Sequence, residues 1–211
     1  MPSAYSQQAL EILRRPDITF QWYIIPFLLI VIFIYSNEVA KGEISTVFAG
    51  LALWGQDLIN ETVNGLVFHF TQFAPIWGAP TKTAWLLLMG LNIEITFMFA
   101  IMGIGAVKLL PKDKTAKVLG INNRVFYAVV NSILSVAVEC WLNSVNALTW
   151  EYPWWNTKFP YLIFLFGYLP FYLMCFYVYD LESPKKQIKV LGIQWGIVIV
   201  SLITFGSLGW L

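Results

Sequence analysis

Long apolar stretches separated by short polar connections dominate the chain. Five stretches have the roughly 20 apolar residues that a helix needs to cross a hydrocarbon core about 30 Å thick: 20–36, 84–108, 125–148, 159–179 and 190–211. A sixth stretch, 46–70, qualifies only if its polar residues face protein. The pattern predicts an all-α fold, a polytopic membrane helix bundle of about six transmembrane helices over 20–211. Residues 1–19 are predicted to form an interfacial N-terminal segment.

Composition supports the membrane class and excludes several others. Of 211 residues, 58% are hydrophobic and 12% are charged, and the mean hydropathy is +0.67. The net charge of +1 gives no attraction to nucleic acid, which we do not expect as a partner. With His69 as the single histidine, multi-histidine iron sites and bis-histidine haem are excluded. We therefore predict neither a metal nor a cofactor.

Lysine and arginine predict the orientation of the spans. They crowd two connections, 109–124 and 181–189, which the positive-inside rule places in the cytoplasm. With six spans, both chain termini are then outside. Arg14 and Arg15 lie on the outer side in this arrangement and oppose it. The two longest outer connections are rich in tryptophan, tyrosine and proline, which is typical of an interfacial aromatic belt, with a lid over a cavity as the alternative.

Three carboxylic acids interrupt the apolar stretches near their midpoints: Glu61, Glu94 and Glu139. An ionisable group at bilayer depth costs about 2.5–3.5 kcal/mol and usually marks a functional site. All three lie at a similar depth, so we expect them to share one cavity. Glu94 also shares a face with Gly90 and Gly105, which would let another helix approach closely.

The acids define a candidate catalytic set of Glu61, Glu94, Glu139 and Asp57. Carboxylates that share a low-dielectric site cannot all ionise cheaply, so at least one is expected to keep a proton for transfer or exchange. Helical spacing places further candidate substrate-binding residues on the faces that carry the acids: Trp54, Asn60, Asn64, Asn131, Asn143 and Asn146. Two tyrosines of the fifth stretch, Tyr168 and Tyr172, complete this candidate set. For the asparagines, hydrogen bonding between helices is the alternative role. Pro170 is expected to kink its helix and free a backbone carbonyl.

A faint internal repeat aligns Asp57 with Glu139 and Asn64 with Asn146. After each aligned segment come a proline, a tryptophan and a Thr-Lys pair. This indicates a parallel two-helix repeat, because both copies begin at a cytoplasmic connection. Chance similarity between aromatic membrane segments is an equal alternative.

Three short motifs resemble those of the small integral-membrane terpene cyclases. They are the Asn60-Glu61 step, the run Gly90-Leu91-Asn92, and a late Trp- and Pro-rich loop followed by an aromatic span that ends at Asp180. The resemblance implies a compact helical bundle in which an acid, here Glu61, protonates an epoxide or alkene.

Three function classes remain open from the sequence. The first is acid/base catalysis on an apolar isoprenoid or sterol-like substrate, by a membrane enzyme of isomerase or cyclase (lyase) type. The second is a proton- or cation-coupled small transporter, and the third a structural subunit of a membrane complex. The lipid bilayer is the expected partner in all three, and the oligomeric state is not predicted.

Overall fold

The computed structural model describes residues 1–80 and 82–211, and this part of the chain is mostly helical. Its helices are α1 (Ala4–Ile12), α2 (Pro16–Thr19), α3 (Ile24–Ala40), α4 (Ile44–Thr71), α5 (Ile93–Lys108), α6 (Asn123–Ser144), α7 (Pro160–Leu162), α8 (Leu169–Asp180) and α9 (Pro184–Ser207). A π-helical segment, Ile163–Tyr168, joins α7 to α8. Two short antiparallel hairpins complete the structure: β1 (Leu86–Leu88) with β2 (Leu91–Asn92), and β3 (Lys117–Val118) with β4 (Ile121–Asn122).

Within the described residues, three helices are long and apolar enough to cross a membrane by length and composition. They are α6, α9 and the continuous helix Pro160–Asp180 that contains the π-helical segment. Helix α3 is apolar but has only 17 residues. The predicted helical membrane protein is therefore confirmed at this level, whereas six transmembrane helices are not established.

Helix α4 is the centre of the bundle and packs against α5, α8 and α9. It approaches α5 closely, since a Cβ added at Gly103 would lie 2.9 Å from the Gly50 Cα atom. Small residues allow this contact because they let two helix backbones come together. The expectation that Gly105 has this role is wrong, because a Cβ there would meet no atom within 4 Å.

The predicted span 84–108 is not one helix. Its first part forms the hairpin of β1 and β2, and α5 begins only after it. The Asn92 side chain caps α5 by accepting a hydrogen bond of 2.8 Å from the Ile95 N–H. Because an asparagine cap satisfies a backbone donor that the first turn leaves unpaired, it fixes the start of a helix. The apolar run from Leu86 to Leu88 concealed this boundary in the sequence.

The N-terminal segment packs against the same hairpin and the loop before it. Ala9 of α1 is buried in a small cluster with Ala79, Leu86 and Met89. The Ser3 N–H also donates a hydrogen bond of 2.9 Å to the Phe73 carbonyl. Residues 1–19 therefore cover the loop end of the bundle, and their position at a membrane interface stays a prediction.

The connections that follow α4 and α6 meet at one end of the molecule. The Gly78 N–H donates to the Thr149 carbonyl at 3.0 Å, and the Thr149 N–H donates back to the Gly78 carbonyl at 2.8 Å. The two helices therefore end on the same side, which is the orientation that a parallel repeat requires. The duplication itself stays a prediction.

Candidate functional site

A cavity of about 80 Å³ lies between α4, α5, α6 and the π-helical segment. Most of its wall is aromatic or aliphatic, and three carboxylic acids complete it. The lining residues are Asp57, Asn60, Glu61, Trp77, Gly90, Ile95, Met98, Phe99, Glu139, Leu142, Leu148, Trp155, Gly167, Tyr168 and Phe171. The structure thus brings together Asp57, Glu61 and Glu139, three of the four acids selected from the sequence.

Glu61 is held by two donors from its own side of the bundle. The Trp77 indole N–H donates to its Oε1 atom at 2.6 Å, and the Asn64 amide donates to Oε2 at 3.3 Å. Asn64 also fixes the loop that carries Trp77, because its Oδ1 atom accepts from the Ile76 N–H at 2.7 Å. The predicted binding residue Asn64 therefore positions both Glu61 and the loop beside it.

Glu139 has the same kind of support from the other half of the bundle. The Trp150 indole N–H lies 3.3 Å from its Oε1 atom. Tyr168 lines the same cavity as this carboxyl group. Each glutamic acid is thus held by an indole from the connection that follows its own helix.

Asp57 differs because one of its oxygens is unpartnered. The side chain is 2% exposed, and its Oδ2 atom has no hydrogen-bond partner in residues 1–80 and 82–211. Within those ranges, no lysine, arginine or histidine lines the cavity. A buried acceptor without a donor costs free energy, about 1–3 kcal/mol for a neutral group and more for a charged one. Asp57 is therefore the acid of the cavity wall that has a buried oxygen without a donor.

Pro170 explains the irregular helix that forms one wall. Proline removes a backbone N–H and clashes with the carbonyl four residues before it, here that of Phe166. The Phe166 carbonyl accepts instead from the Asn60 amide at 3.1 Å. This bond agrees with the expectation of a carbonyl freed by Pro170, which stays a prediction, and Tyr168 at the end of the π-helical segment lines the cavity.

Glu94 does not line this cavity, so the expectation that three glutamic acids share one site is wrong. It is the second residue of α5 and accepts hydrogen bonds from the Tyr23 hydroxyl, the Thr83 hydroxyl and the Ala84 N–H. Because α5 begins after a hairpin, Glu94 lies at a helix end among loop donors and not at mid-helix. Its contacts hold the loop against α3 and α5.

The remaining predicted binding residues lie outside the cavity. Trp54 packs edge to face on Trp195 at 5.3 Å, and the Asn131 amide nitrogen is buried without a partner in the described residues. Asn143 and Tyr172 bond to Leu148 and Ser135, respectively. Asn146 is exposed with a φ of 58°. It cannot continue the predicted stripe because α6 ends at Ser144.

The sequence interpretation missed the aromatic residues that enclose the acids. Trp77 and Trp155 lie in connections that we expected to form an interfacial belt, with a lid as the alternative. In the structure their rings line the cavity, 5.6 Å apart. The tryptophans that follow both acid-bearing helices were the available sequence signal.

The described residues do not form a metal centre. In the part of the chain that the structure describes, no three His, Cys, Asp or Glu side chains are grouped so that they could hold a metal ion. The three acids of the cavity therefore line its wall without forming a compact ligand set.

Comparisons with known proteins indicate a family but not an activity. A sequence model described as an uncharacterized membrane protein family matches residues 3–207. An uncharacterized protein of Archaeoglobus fulgidus is 54% identical over 208 residues, which are 99% of this chain and 98% of that protein. A second uncharacterized protein of the same organism is 45% identical over 53 residues, which are 25% of this chain and 95% of that protein. No solved structure matches.

These findings overturn the resemblance to small integral-membrane terpene cyclases. The family match and the 54% identical relative together cover nearly the whole chain, and neither connects it with such enzymes. Two of the three short motifs behind the resemblance are explained by local structure. Gly90 and Asn92 belong to the hairpin and cap that precede α5, and Asn60 holds the Phe166 carbonyl.

Proposed function

We propose that this chain, which belongs to an uncharacterized membrane protein family, exchanges protons for a small cation at its buried acid cavity. The observation that carries the proposal is the convergence of Asp57, Glu61 and Glu139 on one cavity that no basic side chain of the described residues lines. A carboxyl group binds either a proton or a cation, so the two compete for the same oxygens. Buried acids of this kind within membrane helices are typical of ion and proton pathways.

The size of the cavity favours this function over catalysis on an isoprenoid or sterol-like substrate. Sites for organic ligands usually have about 300–1,000 Å³, whereas the acid cavity has about 80 Å³. A water molecule needs roughly 10–15 Å³ of such space. The cavity can therefore take a small cation with a few waters, but not a polycyclic lipid.

Exchange requires a protein that spans the membrane, and we include the six-helix topology in the proposal. Helix α4 has 28 residues, a length of roughly 42 Å at about 1.5 Å per residue. Its acids face the bundle interior. The stretch therefore meets the condition for a span, which was that its polar residues face protein. We place α3, α4 and α5 beside the three apolar helices as spans. The basic connections 109–124 and 181–189 then lie in the cytoplasm.

Polar pairs between α6 and α8 suggest how the cavity communicates with the cytoplasmic side. One helical turn before Glu139 in α6, the Ser135 hydroxyl lies 2.8 Å from the Tyr172 hydroxyl of α8. At the end of the same two helices, the Arg124 guanidinium lies 2.7 Å from the Asp180 carboxylate. Such a series of polar side chains at helical spacing supports proton passage through an otherwise apolar interface.

The test is proton flux in liposomes that contain the purified protein and a dye sensitive to internal pH. A pulse of the transported cation should release protons from wild-type vesicles, and Glu139→Gln should abolish the signal, because an amide keeps the shape but cannot exchange a proton. Glu94→Gln is the matched control, since this acid lies in the same fold but outside the cavity, and it should retain flux. Wild-type vesicles that release no protons with any monovalent or divalent cation would refute the proposal.

A further inference from the structure

We infer that the cation which the acid cavity accepts is ammonium or a small primary alkylammonium ion, and not a metal ion. The inference rests on the proposed function and names its substrate class. It is carried by three features of the cavity: an unpartnered acceptor, a wall of aromatic rings, and acids that, among the described residues, form no group able to hold a metal ion.

The unpartnered acceptor is the Asp57 Oδ2 atom. It belongs to a side chain that is 2% exposed and lines the cavity. The two glutamic acids already have protein donors: Glu61 accepts from Trp77 on one oxygen and from Asn64 on the other, and Glu139 accepts from Trp150 on one oxygen. An ammonium group has three or more N–H donors pointing in different directions. It can therefore donate to Asp57 while it remains close to both glutamic acids.

The aromatic wall favours an ammonium-type ion in a second way. Phe99 packs against Tyr168 at 6.4 Å and against Phe171 at 5.5 Å, and the Trp77 and Trp155 rings lie 5.6 Å apart on the same cavity. Ring faces carry negative charge density that attracts cations, and ammonium groups bound by several rings are the best-known case. The cavity combines such rings with the negative charge of its acids.

The arrangement is unfavourable for a metal ion. Calcium and magnesium require about six to eight oxygen ligands at roughly 2.0–2.6 Å. In the described ranges, no three acidic, histidine or cysteine side chains are grouped closely enough to hold a metal ion. A wall of rings cannot supply the missing oxygens, so a bare metal ion would lose more hydration than the cavity replaces.

The cavity suits a small ammonium ion. Its volume of about 80 Å³ accommodates ammonium or methylammonium, while a tetraalkylammonium ion has no N–H to donate to Asp57. The Trp155 indole N–H is buried without an acceptor among the described residues. A water that enters with the cation could accept from this indole and donate to a carboxylate.

The experiment is titration of the purified full-length protein in detergent with methylammonium chloride, followed by calorimetry and by tryptophan fluorescence. Potassium chloride at equal ionic strength and tetraethylammonium chloride serve as comparison ligands. We expect saturable binding of methylammonium, at least tenfold weaker or absent binding of potassium and tetraethylammonium, and a fluorescence change because Trp77 and Trp155 line the site.

Two variants test the role of the unpartnered oxygen. Asp57→Asn should weaken methylammonium binding at least tenfold, because it replaces a charged acceptor by a neutral amide. Glu94→Gln should bind as the wild type does. Size-exclusion profile and thermal unfolding show whether each variant is folded, and Trp155→Phe, which keeps a ring, provides a second test with a milder loss of affinity.

The outcomes separate this inference from the proposed exchange. If potassium or sodium drives proton release from vesicles, while methylammonium neither binds nor exceeds the passive signal that neutral methylamine gives in protein-free vesicles, the ammonium inference is refuted and exchange stands. If methylammonium binds in a way that depends on Asp57 but no cation exceeds the signal of protein-free vesicles, the ligand class is supported and exchange is refuted. Equal binding to wild type and to folded Asp57→Asn would also refute the inference.

Discussion

Replacement of Gly103 by alanine tests the packing that holds the cavity together. A Cβ at this position would lie 2.9 Å from the Ala49 carbonyl oxygen and 2.9 Å from the Gly50 Cα atom. Both are backbone atoms of α4, so the two helices must move apart. Overpacking of this kind costs about 1–3 kcal/mol. The movement would also shift Phe99, which lines the cavity from the same helix.

Gly105→Ala is the matched control, two residues further along α5. A Cβ there meets no atom within 4 Å, so the only effect is the gain of about 0.5–1 kcal/mol when alanine replaces glycine inside a helix. The two variants should therefore differ by about 1.5–4 kcal/mol in free energy of unfolding, with opposite signs relative to the wild type.

The assay is unfolding of the purified variants by titration with sodium dodecyl sulfate in mixed micelles, followed by tryptophan fluorescence and circular dichroism. Gly103→Ala should unfold at lower detergent fraction than the wild type, and Gly105→Ala at equal or higher fraction. Equal stability of the two variants would contradict the close contact between α4 and α5, because the same chemical change is made in the same helix.

Three further predictions concern other contacts. Gly90→Ala should destabilise the protein and alter its tryptophan fluorescence, because a Cβ would lie 2.6 Å from the Trp77 ring; an unchanged emission spectrum would contradict this. Arg124→Gln should cost about 1–3 kcal/mol in a denaturant titration, since Asp180 loses two charge-assisted hydrogen bonds, and a silent variant would refute the pair. Hydrogen bonds from Thr115 hold the pKa of the Asp113 carboxyl below its usual value, so Thr115→Val should raise that pKa in a carbon-13 NMR titration. A carboxyl group whose pKa is lower in the folded state than in the unfolded state stabilises the fold at pH values above its ordinary pKa. The contribution of Asp113 to stability is therefore lost as the pH falls through its folded-state pKa.

The acid cavity could be predicted from sequence because helix periodicity and bilayer depth act together. Asp57 and Glu61 share a face of α4, and Glu139 lies at a similar depth in α6, so regular helices bring them together. The prediction for Glu94 was wrong because its depth was counted from the start of an apolar stretch that contains a hairpin. Depth can be read only where the helix boundaries are known.

The glycines and tryptophans show the other limit of sequence reasoning. Gly103 and Gly105 are equivalent by composition, and only the crossing of α4 and α5 decides which of them meets Gly50. Trp77 and Trp155 lie in irregular connections, where no periodicity relates sequence position to direction. Their placement depends on contacts such as the one between Gly78 and Thr149, which joins residues distant along the chain.

The hairpin before α5 has a consequence for the surrounding lipid. With 16 residues, α5 is only roughly 24 Å long at about 1.5 Å per residue, which is shorter than a hydrocarbon core of about 30 Å. Non-helical backbone is tolerated at membrane depth only when protein surrounds it, and Leu86 and Leu91 of the hairpin are fully buried. In the proposed six-helix topology, the bilayer at this corner of the bundle, where α5 begins, has to become thinner to match the protein. Hydrophobic mismatch of this kind makes the protein sensitive to acyl-chain length, and it brings headgroup water closer to the buried acids than a full-length helix would allow.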